Sequence, residues 1–267
     1  MGEGLFERFP RETEMAEQQL GYSVSKLCLE DKEQRLGQTQ YTQPALYVVN
    51  ALSFLARQEE AGTRPDFVAG QSLGEYSALY AGGVFDFLTG LKLVQARGRI
   101  MAEAREGGMT ALVGISAERV REILHNFAFD EIDIANLNSP QQTVISGPAA
   151  DVAHVGTLFK EAGATVMPLK VSGAFHSRLM QGAANEFARV LEGATFQPPA
   201  IPVIANCTAL PYEPAAVRET LARQITSAVR WTDTIRYLLQ QGAAEFQEVG
   251  PGNVLTRLVA QIKAAPG

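Results

Sequence analysis

Asp66-Phe67-Val68-Ala69-Gly70-Gln71-Ser72-Leu73-Gly74-Glu75-Tyr76 is the stretch on which the reading of this chain turns. Residues 66–70 are short and apolar enough for a buried strand. The small residues that follow, up to Gly82-Gly83, suit a helix. Between them, Gly70-x-Ser72-x-Gly74 has the spacing of a nucleophile elbow. Glycines let the chain turn sharply, so the serine hydroxyl projects beyond the strand end, and the next N–H, that of Leu73, faces the oxygen that turns negative when an acyl carbon is attacked. An ordinary strand–helix turn can carry the same five residues. The strand before and the helix after favour the nucleophile.

Working outward, helix and strand periods alternate. Upstream, Thr42 is positioned to cap a helix with an apolar stripe of Ala45, Val48, Val49, Leu52, Leu55 and Ala56, with Pro44 in its first turn. Downstream, a helix runs from about 86 to 103 and ends at Gly107-Gly108. Residues 109–115 read as a strand, Ser116 caps a helix carrying Val120, Ile123 and Leu124, and 133–137 and 143–146 are strands either side of turn-forming Asn138-Ser139-Pro140-Gln141-Gln142. Pro148 opens a further helix and 165–169 is a strand. This β-α-β-β-α-β order is the ferredoxin-like pattern. Strands at 201–206 and 246–249 and helices at 214–225, 233–241 and from 253 complete the chain, with Gly250-Pro251-Gly252 as a turn. The fold class is therefore α/β, with a mostly parallel sheet covered on both faces. Residues 1–106 and 171–267 form the large domain, and 107–170 an inserted small one.

Composition narrows the classes. The 267 residues are 46% apolar and 19% charged, enough to fill a core, which excludes disorder. Lys and Arg number 23 against 29 Asp and Glu, a formal charge of −6, and no basic block suited to nucleic acid or an anionic membrane occurs. Cys28 and Cys207 are too few for a disulfide framework or zinc cluster, and no spacing suggests another metal site. With no apolar run near ~18 residues and no basic-then-apolar start, a cytoplasmic protein is expected.

A serine nucleophile needs a base, and the chain has three histidines. His125 and His154 sit on amphipathic helices, where a surface or half-buried structural role is natural. His176 follows a strand in Val171-Ser172-Gly173-Ala174-Phe175-His176-Ser177, the kind of loop from which catalytic groups reach. No acid stands out as a third member: Asp130, Glu131 and Asp133 cluster at a strand edge, and Asp86 looks like a helix cap. A triad and a dyad oriented by a backbone carbonyl both fit. Arg97 falls inside the apolar stripe of Leu93, Val94, Ile100, Met101 and Ala104, so it either snorkels to the surface or meets an anion in a cavity. Arg99 and Arg105, off the stripe, read as solvated. Beside a reactive serine, Arg97 would grip a carboxylate on the acyl group, which points to a dicarboxylic half-thioester.

Five ordered motifs now resemble a known family: Gly70-Gln71-Ser72-Leu73-Gly74-Glu75-Tyr76, Gln95-Ala96-Arg97-Gly98-Arg99-Ile100-Met101, Asn138 to Gln142, Gly173-Ala174-Phe175-His176 and Glu248-Val249-Gly250-Pro251-Gly252. Across essentially the whole chain they are similar to malonyl-CoA:acyl-carrier-protein transacylases and polyketide synthase acyltransferases, most of all free-standing trans-acting ones. The resemblance implies an α/β-hydrolase-like large domain with an inserted ferredoxin-like subdomain. It implies malonyl transfer from malonyl-CoA to the phosphopantetheine thiol of an acyl-carrier protein, with Ser72 as nucleophile and His176 as base. Arg97 would hold the malonyl carboxylate, and a backbone carbonyl near Gln224 would orient the histidine. Leu73, Phe175, Gln71 and Gln142 would line the substrate side. Phe175 would fill the space of an α-methyl group, worth about 1–3 kcal/mol of discrimination. A monomer without a tightly bound cofactor is implied, malonyl-CoA being substrate, and Arg218, Arg223 and Arg230 are candidates for meeting an acidic carrier protein.

Two departures accompany the resemblance. The first ten residues resemble the segment just after the family's first strand and its Gly-Gln-Gly-Ser-Gln motif, so that strand and a second oxyanion donor are expected to be missing, a loss of ~100- to 1000-fold in turnover for such a donor. Gln71 stands where a histidine is usual. Two rival readings remain at this point: a related hydrolase clearing acyl groups from carrier proteins, against which Arg97 speaks, and a non-catalytic carrier-protein docking module.

Overall fold

The computed structural model describes residues 1–104 and 106–265; Arg105 lies outside them. In chain order the elements are α1 (Leu5–Arg8), α2 (Pro10–Leu20), α3 (Val24–Leu29), α4 (Thr39–Ala61), β1 (Val68–Ala69), α5 (Gly74–Ala81), α6 (Phe87–Glu103), β2 (Gly108–Val113), α7 (Ala117–Asn126), β3 (Asp133–Ser139), β4 (Gln142–Gly147), α8 (Ala149–Glu161), β5 (Thr165–Pro168), α9 (Gln181–Glu192), β6 (Val203–Ile204), α10 (Val217–Gln224), α11 (Trp231–Gln240) and α12 (Val254–Ala264). The mixed α/β class follows directly. The helices before residue 38 and α9 were not among the sequence expectations. Their signals are local: Pro10 in the first turn of α2, and Ser23 accepting from the Lys26 N–H to cap α3.

The large unit is mostly helical. Tyr47, Val48 and Leu52 of α4, Tyr76 and Leu79 of α5, and Leu91, Val94 and Ile100 of α6 are buried with Phe187 and Leu191 of α9 in one core. At its centre β1 and β6 pair in parallel, with Val68 opposite Val203 and Ala69 opposite Ile204. Among the described residues this is the unit's only sheet, much smaller than the broad parallel sheet expected. Pro202 explains one end: it lends its carbonyl to the Val68 N–H but has no N–H to return. At the other end the Asn206 side chain replaces the ladder, accepting from the Ser72 N–H at 2.6 Å and donating to the Gly70 carbonyl at 2.7 Å. Residues 246–249 form no strand. Phe246 packs instead with Ile204, Trp231 and Leu258, so its apolar character anchors a loop.

Helix α4 begins three residues before the expected cap. Thr42 lies inside it, its hydroxyl donating to the Leu36 and Gln38 carbonyls, and Pro44 is interior to the helix. Asp86 does cap α6, accepting from the Thr89 N–H at 2.7 Å.

The small unit is a four-stranded antiparallel sheet in the order β3-β4-β2-β5, with α7 and α8 on one face. Alternation along β2 sorts its side chains: Leu112 joins Val120, Ile145, Val155 and Phe159 under the helices, while Met109 and Ala111 face the other way with Ala135 and Val144. Phe175 packs on that second face and on the large core, bridging the units. Backbone bonds from Val229 to Ala135 and Leu137 tie β3 to the segment before α11.

The turn after β1 is where glycine is required at one position and merely tolerated at another. A Cβ on Gly70 would stand 2.0 Å from the Gly74 carbonyl oxygen, which is backbone and cannot give way, whereas a Cβ on Gly74 meets nothing within 4 Å. Gly70→Ala should therefore destabilise by at least about 3 kcal/mol. Gly74→Ala, in the first turn of α5, should be neutral or stabilise by up to ~1 kcal/mol. Equilibrium urea unfolding of the two variants measures both.

Candidate active site

Two parallel strands end side by side, and each hands the chain to a polar residue. After β1 comes Ser72, held at φ +52°; after β6 comes Asn206. A left-handed serine costs of order 1–3 kcal/mol, offset here by Asn206 gripping both sides of the turn. The strain lifts the hydroxyl out of the sheet edge and toward the loop after β5.

That loop delivers His176, also left-handed at φ +58° and 4% exposed. Its Nε2 lies 2.8 Å from Ser72 Oγ. Its Nδ1 lies 3.0 Å from the Gln224 carbonyl and 3.1 Å from that of Ser227. Two acceptors at Nδ1 fix the proton there and leave the Nε2 lone pair facing the serine hydroxyl. The open choice between triad and dyad resolves to a dyad: among the described residues no carboxylate bonds Nδ1. Burial, then the Arg97 charge, push the His176 pKa down to about 4, against a smaller upward pull from the two carbonyls. The imidazole is thus neutral at pH 7 and ready to accept a proton.

Arg97 does not snorkel. It is 1% exposed, its Cζ 5.5 Å from the Tyr76 ring centroid. One terminal nitrogen donates to Gln43 Oε1 at 2.6 Å; the other donates to Gln224 Oε1 at 3.0 Å and Ser72 Oγ at 3.2 Å. Its Nε has no partner among the described residues. Every acceptor is neutral, so the guanidinium keeps its charge uncancelled by a direct ion pair. Helix α4 supplies Gln43 at this distance because Gly98 lets α6 lie against Thr39 and Gln40.

Gln224, at the end of α10, joins these parts. Besides its carbonyl on His176 and its Oε1 on Arg97, its Nε2 donates to the Ser72 carbonyl at 2.8 Å and to Glu75 Oε2 at 2.6 Å. Glu75 is wholly buried, its other oxygen accepting from the Tyr212 hydroxyl at 2.6 Å and the Asn206 N–H at 3.1 Å. Desolvation raises its pKa to about 7 against these hydrogen bonds. Gln43, Glu75, Asn206 and Tyr212 were not picked out from sequence. A signal existed for Glu75: it shares a helical face with Ala78 and Leu79, both buried. A glutamate in a first helical turn otherwise reads as a dipole partner on the surface.

The remaining candidates sort by contact. The Leu73 N–H makes no hydrogen bond within the described chain and follows Ser72 directly. Gln71 donates to Asn138 Oδ1 at 2.7 Å, linking the elbow to β3. Gln142 starts β4 opposite Val113, and its side chain bonds none of the site residues. His125 and His154 are exposed, the latter edge-on to Phe129. Arg218 is occupied by the Leu191 and Ala194 carbonyls and Arg230 by Asp233, while Arg223 reaches the Cys207 sulfur. Arg99 is exposed and pairs with Glu103 and Glu186. No group of three or more metal-binding side chains occurs among the described residues.

Such a constellation suits acyl transfer through a serine ester on an acyl group bearing an anion. Comparison with known proteins points the same way. Residues 7–264 match the family model described as acyl transferase domain. The polyketide biosynthesis malonyl CoA-acyl carrier protein transacylase PksC of Bacillus subtilis is 50% identical over 98% of this chain and 92% of its own length. A crystal structure of malonyl CoA-acyl carrier protein transacylase from Burkholderia pseudomallei superposes with a TM-score of 0.96 at 49% identity, covering 100% of this chain and 94% of that one. A malonyl-transacylase solved in complex with its type II polyketide synthase acyl-carrier protein gives 0.91 at 37% identity, over 97% and 86%.

The buried imidazole makes a measurable prediction. Its folded pKa of about 4 lies below the ~6.5 of an unfolded chain, so only the unfolded state takes up a proton between those values. The contribution of His176 should hold above pH ~6.5 and fall by on the order of 3 kcal/mol as the pH drops toward 4. Glu75, raised to about 7, contributes in the opposite sense between the ~4.3 of a free glutamate and that value. Ring-proton NMR should place the His176 midpoint near 4, and the difference between the wild-type and His176→Gln stability profiles should show the His176 slope alone.

Proposed function

The chain belongs to the acyl transferase domain family, and from that premise we propose that it moves a malonyl group from malonyl-CoA to the phosphopantetheine thiol of an acyl-carrier protein, in polyketide or fatty acid biosynthesis. The observation that carries this reading is Ser72 Oγ lying 2.8 Å from His176 Nε2 and 3.2 Å from a buried arginine nitrogen. Base and anion-binding group converge on one hydroxyl.

The reaction runs as two halves. Ser72 Oγ attacks the thioester carbonyl of malonyl-CoA while its proton passes to His176 Nε2. The carbonyl oxygen, now negative, takes the Leu73 N–H, and Arg97 beside Oγ favours the charge that builds there. The C–S bond breaks, CoA leaves with the proton from His176, and malonyl remains as a Ser72 ester. The carrier-protein thiol then gives its proton to His176 and attacks that ester; the C–O bond breaks and Ser72 recovers its proton. The Gln224 and Ser227 carbonyls hold the imidazole through both halves and favour its charged form in passing.

Arg97 holds the malonyl carboxylate. Its present partners are neutral amide oxygens, which an incoming carboxylate outcompetes with two charge-assisted bonds. Phe175, packed against the cluster that holds Met109 and Ala111, limits room at the α-carbon, and Gln71, tied to Asn138, and Gln142 at the start of β4 line the substrate side. The reading needs no resident cofactor, since malonyl-CoA is the substrate. It uses residues of a single chain and so works as a monomer. It is the reading of a cytoplasmic enzyme, and among the described residues no helix is long and apolar enough to cross a membrane.

Intact mass after brief incubation with malonyl-CoA tests the proposal. A malonyl adduct is expected on the wild-type chain and none on Ser72→Ala. CoA release without a lasting adduct would favour a hydrolase, and neither signal would favour a docking module. Arg97→Ala should lower kcat/KM for malonyl-CoA by about 2–5 kcal/mol, roughly 30- to several-thousand-fold, and reduce the preference over acetyl-CoA.

A further inference from the structure

Glu75 and Arg97 are buried together yet do not pair. The carboxylate is wholly buried and the guanidinium 1% exposed, and one amide stands between them. Gln224 Nε2 donates to Glu75 at 2.6 Å, and Gln224 Oε1 accepts from Arg97 at 3.0 Å. Attraction between opposite charges in so dry a setting would ordinarily close such a gap. A closed Arg97–Glu75 pair would leave no charge to receive a substrate carboxylate.

We propose that Gln224 is a spacer that keeps Glu75 from neutralising Arg97, and that Glu75 fixes which way the spacer's amide points. The inference rests on the malonyl-transfer reading above and adds two positioning residues to it. An amide has one donor end and one acceptor end, and only one orientation serves Arg97, with the oxygen toward it. As a carboxylate, Glu75 enforces that orientation because its near oxygen then has only lone pairs to offer. The Ser72 carbonyl, 2.8 Å from the same nitrogen, adds a second acceptor on that side. Glu75 is itself pinned from behind by the Tyr212 hydroxyl and the Asn206 N–H, so it cannot swing toward the arginine. The spacer's backbone carbonyl meanwhile holds His176 Nδ1, so the same residue sets the base and the acid-binding group. Glu75 and Gln224 act through Arg97 and His176 rather than on the acyl group.

The double exchange of Glu75→Gln with Gln224→Glu separates this role from a structural one. It keeps the buried volume and the charge count but moves the carboxylate next to Arg97. The amide introduced at position 75 still offers an oxygen to Tyr212 and Asn206, and its nitrogen faces the carboxylate introduced at position 224. The backbone N–H of position 75 still donates to the Ser72 carbonyl, at 3.2 Å in the wild-type chain. Steady-state kinetics with malonyl-CoA and with acetyl-CoA, on the full chain, should show the malonyl-over-acetyl ratio of kcat/KM falling about tenfold or more, chiefly through a raised KM for malonyl-CoA. Glu75→Gln alone is the second variant. One of its amide ends must oppose a donor, either Gln224 or Asn206, so the spacer loses its fixed direction and the ratio falls about 3- to 10-fold. A merely structural role would lower both substrates' rates in parallel and leave the ratio alone; that result in a folded variant overturns the spacer. A wild-type chain without any preference for malonyl over acetyl would instead overturn the malonyl reading and the inference with it.

Discussion

Gln224 bonds to four partners that otherwise belong to different parts of the chain. Its side chain meets Arg97 from α6, Glu75 from α5 and the Ser72 carbonyl from the turn after β1, and its backbone carbonyl meets His176 from the loop after β5. Each contact satisfies a polar group that burial has cut off from water, and an unpaired group of that kind costs about 1–3 kcal/mol or more. The amide is suited to this place because it both donates and accepts while carrying no charge. A charged side chain there would cancel either the arginine or the glutamate.

The surrounding fold can be understood as what brings these partners to one point. A parallel pair of only two residues per strand suffices, because the Asn206 side chain continues the ladder where the backbone of the turn departs from it. The left-handed Ser72 and His176 face each other across that continuation. Helices α4 and α6 approach closely at Gly98, which puts Gln43 on Arg97 from the side opposite Gln224. The arginine is therefore held between two amide oxygens, fixed in direction but not discharged. Phe175 and the Val229 backbone bonds lock the antiparallel sheet onto the same assembly.

Chemistry follows from the contrast between the two buried titratable partners of the serine. Desolvation lowers the histidine and leaves it a neutral base, while the arginine, whose intrinsic pKa is far above neutrality, stays charged even though burial pulls it down. In the proposed reaction, a neutral proton acceptor and a fixed cation on one hydroxyl serve proton transfer and anion binding without competing for the same partner.

By itself the sequence determined the α/β class, the elbow at Ser72, the loop histidine as sole candidate base and the anomaly of Arg97 in an apolar stripe. Those are local facts: a turn needs small residues beside the nucleophile, and a charge at a core-facing position of a helix shows in the 3.6-residue period. Strand lengths, the loss of a strand at 246–249 and the start of α4 were not legible, since each depends on whether a partner lies alongside. The family resemblance implied a carbonyl near Gln224 behind the histidine, and tertiary structure added the second one, that of Ser227. Tertiary structure alone brought in Gln43, Glu75, Asn206 and Tyr212 from distant segments. The physical reason is that a polar side chain's role is set by what it meets after burial. Glu75 sits in the quoted motif in plain view, yet only the approach of Gln224, 149 residues later, makes it part of the site.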